Sequence, residues 1–68
     1  MIMEDKKLIV TLSDGVTKIE ADTYDYVVQY YAGGWKSYAV FGEFLKANTC
    51  RKELENKGYK HTQIIQLY

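Results

Sequence analysis

One histidine and one cysteine are all that this 68-residue chain offers in the way of soft metal ligands and ready nucleophiles. A structural zinc site needs about four Cys, His or carboxylate ligands at short spacings. Cys50 and His61 sit on different elements, one on a helical pattern and one at the start of a strand pattern, so the sequence predicts no metal site. Nucleophilic catalysis needs a nucleophile, a base and an orienting group that converge in a pocket. His61 is the only imidazole, and between Lys60 and Thr62 it reads as a solvated surface residue. Cys50 completes an apolar helical stripe and reads as a small buried residue; a reactive thiol wants an exposed, electropositive setting. Nine carboxylates are spread along the chain, and no two stand out as an acid–base pair. Ala32-Gly33-Gly34 lacks the Gly-x-Gly-x-x-Gly spacing of a phosphate cradle and no helix follows it directly. The sequence predicts no enzyme and no cofactor.

Binding chemistry is better provided for. The stretch VVQYYAGGWKSYAVF, residues 27–41, gathers tyrosine, tryptophan and phenylalanine around a glycine pair. Tyrosine gives a large, stiff contact area with a polar tip, which enriches it at protein interfaces. Tyr31, Trp35, Lys36 and Tyr38 are the candidate partner-binding residues, with Tyr38 the best single anchor. The same rings suit stacking on nucleobases, as aromatic sheet platforms do with single strands. The plain alternative is that cross-strand aromatic pairs only stabilise the sheet.

The elements that must position these residues follow from local pattern. KLIVTL, residues 7–12, is a strand, Ser13-Asp14-Gly15 a tight hairpin turn, and VTKIEAD alternates as a second strand. Asp22-Thr23 is a corner or bulge leading into the next strand, or else a bend in one long strand. Tyr24 to Tyr31 and Trp35 to Phe41 form a hairpin. A two-residue Gly33-Gly34 turn sets Ala32 opposite Trp35, Tyr30 opposite Ser37, Val28 opposite Ala39 and Tyr26 opposite Phe41. Opposed residues share a face. In this register Tyr26, Val28, Tyr30, Trp35, Ala39 and Phe41 form the core face, while Tyr31, Lys36 and Tyr38 face away with Val27 and Val40. A three-residue turn would mix these sets. FLKANTCRKELENKGY reads as a helix with Ala47, Cys50 and Leu54 inward. Its start lies at Glu43, near Lys46, or at a late cap on Asn48-Thr49. Arg51 with Glu55 and Glu53 with Lys57 are i,i+4 pairs, and Gly58 is the C-terminal cap. HTQIIQLY closes the chain as a strand expected to pair beside the first.

The fold class is therefore α+β in the order ββββαβ: one domain over residues 1–68, an antiparallel-dominated sheet of about five strands with one helix on one face. Nine basic and nine acidic residues cancel, whereas a free-standing nucleic-acid binder normally carries a basic excess. A lone cysteine suits a reducing, cytoplasmic setting. The opening MIMEDKKLIV is too briefly apolar for a signal peptide, and nothing approaches the ~18 apolar residues of a membrane span.

The opening half, LIVTLSDGVTKIEADTYDY, resembles short β-rich proteins encoded by bacteriophages and prophages. In these a hydrophobic strand, an Asp-Gly turn and an acidic-aromatic second strand recur. The resemblance implies an accessory protein in the host cytoplasm that binds and blocks a host or defence protein. GWKSYAVFGEFLKANTCRKELENKGY is similar in rhythm to three-strands-plus-helix DNA-binding domains of the integrase-arm type, although its strands carry only Lys36 where those are rich in Arg and Lys. The function expected is a non-enzymatic protein-binding module of the phage-inhibitor type that acts by occlusion and forms a homodimer. The alternative is a nucleic-acid-binding sheet.

Overall fold

A computed structural model describes residues 7–68; the opening MIMEDK lies outside them, and with it most of the segment weighed as a signal peptide. The order is β1 (Lys7–Thr11), β2 (Lys18–Asp22), β3 (Tyr26–Tyr31), β4 (Trp35–Phe41), α1 (Phe44–Asn56) and β5 (Thr62–Gln66). This is the expected ββββαβ, an α+β fold with every strand pair antiparallel.

The strands divide into two sheets where one was expected. Among the described residues β1 and β2 pair only with each other, and β4, β3 and β5 form a second sheet in that order. The closing strand thus pairs with β3, not with β1. The reason lies at the corner after β2. Asp25 accepts from the Asp22 N–H at 2.9 Å on its side chain and donates its own N–H to the Asp22 carbonyl at 3.1 Å. Tyr24 takes φ +74°, a left-handed conformation uncommon for a bulky residue. Its N–H donates to the Leu67 carbonyl at 2.7 Å, and the Leu67 N–H donates to Asp25 at 2.9 Å. The corner turns β2 away and hands the edge of β3 to the end of β5. The molecule is drawn out to 49 × 26 × 15 Å as a result.

The first hairpin turn is held by Asp14, whose carboxylate accepts from the N–H of Val16 at 2.9 Å and of Thr17 at 2.8 Å, and from the Thr17 hydroxyl. Gly15 there has φ +76°, which suits a residue without a Cβ.

The second hairpin departs from the expected register. Tyr26 pairs with Phe41, Val27 with Val40 and Val28 with Ala39, as read from sequence, but then the register shifts. Gln29 pairs with Ser37, Tyr30 with Lys36 and Tyr31 with Trp35, so Ala32, Gly33 and Gly34 form a three-residue turn and Tyr38 is an unpaired bulge. The bulge exchanges the faces of the turn-proximal half of β4. Trp35, expected in the core, lies on the face away from the helix and is 47% exposed. Lys36 and Tyr38, expected on that outer face, lie on the helix side.

Helix α1 begins at Phe44, with Glu43 as its extended, side-chain-uncapped N-terminal flank. It ends as expected at Gly58 (φ +109°): the Tyr59 N–H donates to the Leu54 carbonyl at 3.2 Å and the Gly58 N–H to Glu55 at 3.0 Å. These are the two bonds of a glycine-terminated helix end. Ala47, Cys50 and Leu54 are its buried residues, as the stripe predicted, and they pack with Val28 against Tyr26, Tyr30, Ala39, Phe41 and Ile64. Arg51 pairs with Glu55 at 2.8 Å; Lys57, spaced to meet Glu53, turns to the Tyr38 hydroxyl instead. Among the described residues no helix is long and apolar enough to cross a membrane.

Candidate functional surface

The two ladders that flank β3 arrange side chains in cross-strand rows. Three rows make up the face away from the helix: Trp35–Tyr31–His61, then Ser37–Gln29–Gln63, then Val40–Val27–Ile65. The first row stands at the turn end. Tyr31 and Trp35 are directly opposed, their rings edge to face at 5.5 Å, and Tyr31 meets the His61 imidazole edge to face at 6.5 Å. The backbone fixes both neighbours. Tyr31 donates its N–H to the His61 carbonyl at 3.0 Å, and Ala32 donates to the Gly34 carbonyl at 2.9 Å to close the turn. Gly33 has φ +73°, so the tight turn behind Trp35 rests on a residue free of a Cβ. Tyr31 and Trp35 are each about half exposed, at 49% and 47%.

The second row is polar. Gln63 donates to the Gln29 side-chain carbonyl at 2.6 Å, and Gln29 donates to the Ser37 hydroxyl at 3.3 Å. This chain of hydrogen bonds crosses the three strands of the sheet. It separates the aromatic row from the aliphatic one, in which Val27 is fully buried and Ile65 is 37% exposed. Val27, Tyr31, Tyr38 and Val40, expected together on the outer face, therefore form no contiguous apolar patch there.

Of the four candidate residues, the fold brings Tyr31 and Trp35 together and sets Lys36 and Tyr38 on the opposite face. Tyr38 meets Tyr30 at 6.1 Å and takes a 3.4 Å hydrogen bond from the Lys57 ammonium, which also stands 5.8 Å from its ring centroid. Tyr30 in turn stacks on Tyr59 at 4.5 Å. Tyr38 is thus tied into a cluster that seals the end of the helix. Lys36 lies opposite Tyr30 on that side and is exposed. The outer row gains His61 in their place. Sequence reasoning kept this residue apart, because its position beside Tyr31 depends on β5 pairing with β3.

A second feature lies between β4 and α1: an open, shallow depression of about 370 Å³ lined by Phe41, Leu45, Lys46, Thr49, Cys50 and Glu53. Burial raises the Cys50 thiol pKa, the nearby Glu53 carboxylate adds to the rise, and Lys57 opposes it. A thiol so placed stays protonated at neutral pH and is a poor nucleophile. Among the described residues no three His, Cys, Asp or Glu side chains converge to hold a metal ion.

No family model, curated protein or solved structure matches this chain.

Proposed function

We propose that the chain is a non-enzymatic protein-binding module whose anchor is the row Trp35–Tyr31–His61. The observation that carries this reading is the half-exposure of two large rings locked edge to face on a backbone fixed from both sides. Interfaces draw most of their energy from a few such aromatic anchors, and pre-ordered side chains lose little entropy when a partner covers them. The flanking Ser37 hydroxyl and the Gln29 and Gln63 amides supply a polar border of the kind that surrounds such anchors. A balanced charge fits a protein partner better than a polyanion.

The resemblance of LIVTLSDGVTKIEADTYDY to phage and prophage proteins supports a more particular form of the reading. The module acts in the host cytoplasm as an inhibitor, covering a surface of a host or defence protein. Self-association belongs to the same reading, and small symmetric dimers are its commonest form.

The test is affinity capture from a bacterial lysate with the wild-type chain and with Tyr31→Ala and Trp35→Ala. A partner protein retained at both low and high salt by the wild type, and lost with each variant, is the expected outcome. Capture of nucleic acid that weakens steeply as salt rises would overturn the reading in favour of phosphate contacts. Retention of the same partner by both variants would overturn the site.

A further inference from the structure

We infer that a second copy of this chain pairs antiparallel with the free edge of β5, with Ile65 of one copy opposite Ile65 of the other. The inference does not rest on the aromatic row or on any foreign partner.

The backbone shows which groups of β5 have no partner among the described residues. Leu67 donates to Asp25, and the His61 carbonyl accepts from Tyr31. Backbone groups alternate sides along a strand, and the β3–β5 register is unbroken from Tyr26–Gln66 to Tyr30–Thr62. His61, Gln63, Ile65 and Leu67 therefore bond toward β3, and the N–H and C=O groups of Thr62, Ile64 and Gln66 point outward. Among the described residues β5 is the last strand of its sheet, so among them these groups form an open ladder.

Edges of this kind invite pairing unless a charge, a proline, a bulge or a covering segment blunts them. Among the described residues the free edges of β4 and β2 carry such devices. β4 has Lys36 and the bulge at Tyr38, and β2 has Lys18, Glu20 and Asp22. The β1–β2 ribbon is also only two strands wide, and narrow ribbons twist most strongly. β5 reads Thr-Gln-Ile-Ile-Gln, with no charge, proline, glycine or bulge. It belongs to the one sheet that the helix backs.

The occupant follows from self-complementarity. A two-fold axis beside Ile65 sets Ile64 of each copy opposite Gln66 of the other, and these are residues whose backbone groups point outward. Ile65 then meets Ile65 at a non-bonded pair, where side chains approach most closely. The row Val40–Val27–Ile65, with Val27 buried and Ile65 partly exposed, runs on into its own symmetry copy as one aliphatic stripe across six strands. No like charges face each other at this seam, whereas a two-fold at the centre of β2 would set Glu20 against Glu20. Both helices fall on the same side of the joined sheet, and both aromatic rows stay exposed.

Amide hydrogen exchange of the wild-type chain, followed by NMR over a range of concentrations beside light scattering, tests the pairing. The expected result is a dimer in which the Ile64 and Gln66 amides gain protection as concentration rises, while Gln63 and Ile65 are protected throughout. Ile65→Lys places two ammonium groups at the axis and is expected to abolish both the dimer and the added protection. A monomer at high concentration, with Ile64 and Gln66 exchanging as free amides, overturns the inference and leaves the edge open to a foreign strand. A dimer without protection at these two amides overturns it as well, since another surface must then join the copies. Should Ile65→Lys fail to fold, the wild-type exchange pattern alone decides.

Discussion

The rings of Tyr30 and Tyr38 meet edge to face on the helix side of the sheet, with centroids 6.1 Å apart and planes at 73°. Their strands pair Tyr30 with Lys36, so Tyr38 reaches its neighbour only because one extra residue is accommodated in β4. The bulge decides the allocation of side chains. It puts Tyr38 under the end of α1 and turns Trp35 out.

Tyr38→Ala is therefore expected to act on stability. The loss should be about 0.5–1.5 kcal/mol from the ring pair, with the lost contact area added. Urea titration reads the change, and a partner bound through Tyr31 and Trp35 should be retained by the folded fraction. Loss of binding at unchanged stability would return Tyr38 to the binding surface.

How much of this could be read from the sequence depends on how local each signal is. The Asp14-Gly15 turn, the Ala47–Cys50–Leu54 stripe and the Gly58 cap are set within a few residues, and the structure shows them where the pattern puts them. The bulge leaves no such mark. Tyr38 carries neither glycine nor a charge to announce it, and the two-residue and three-residue turns around Gly33-Gly34 differ only in what lies across the sheet. The position of β5 is less local still, since it depends on the Asp22–Asp25 corner closing onto Leu67. For this reason Tyr31 was legible as an outer residue, Trp35 was not, and His61 had no visible link to either.

Leu54, the last residue of the helix stripe, is only 1% exposed. Leu54→Ala should destabilise the chain by about 2–5 kcal/mol, through lost transfer energy and the cavity left behind. In a small domain that is a large share of the total, so thermal unfolding monitored by circular dichroism should shift to much lower temperature. A shift no larger than that of an exposed-site control such as Lys52→Ala would contradict the core described.

The Asp14 carboxylate pKa lies below its ordinary value, chiefly through the Thr17 hydroxyl, then the N–H groups of Thr17 and Val16. A carboxylate with a depressed folded-state pKa adds stability that is present above the unfolded pKa and lost as pH falls through the folded one. The first hairpin should thus loosen only on strong acidification. Amide shifts of Val16 and Thr17 should titrate with Asp14, below the usual carboxylate range, and Asp14→Ala should abolish that transition.

Cys50 is buried, and its thiol pKa is raised by burial and by Glu53. Modification by a thiol-specific reagent at mildly alkaline pH should be slow in the folded chain and should accelerate sharply in denaturant. Rapid modification of the native protein would mean that the depression between β4 and α1 opens readily to solvent.

Contact between the Trp35–Tyr31–His61 row and a protein partner, as proposed, can be read directly in cells. A benzophenone side chain placed at position 35, and separately at position 52 on the outer helix, would be photoactivated in bacterial cells expressing the chain. A discrete protein adduct from position 35 and none from position 52 is expected. An adduct from position 52 alone, or nucleic acid as the material joined at position 35, would contradict it.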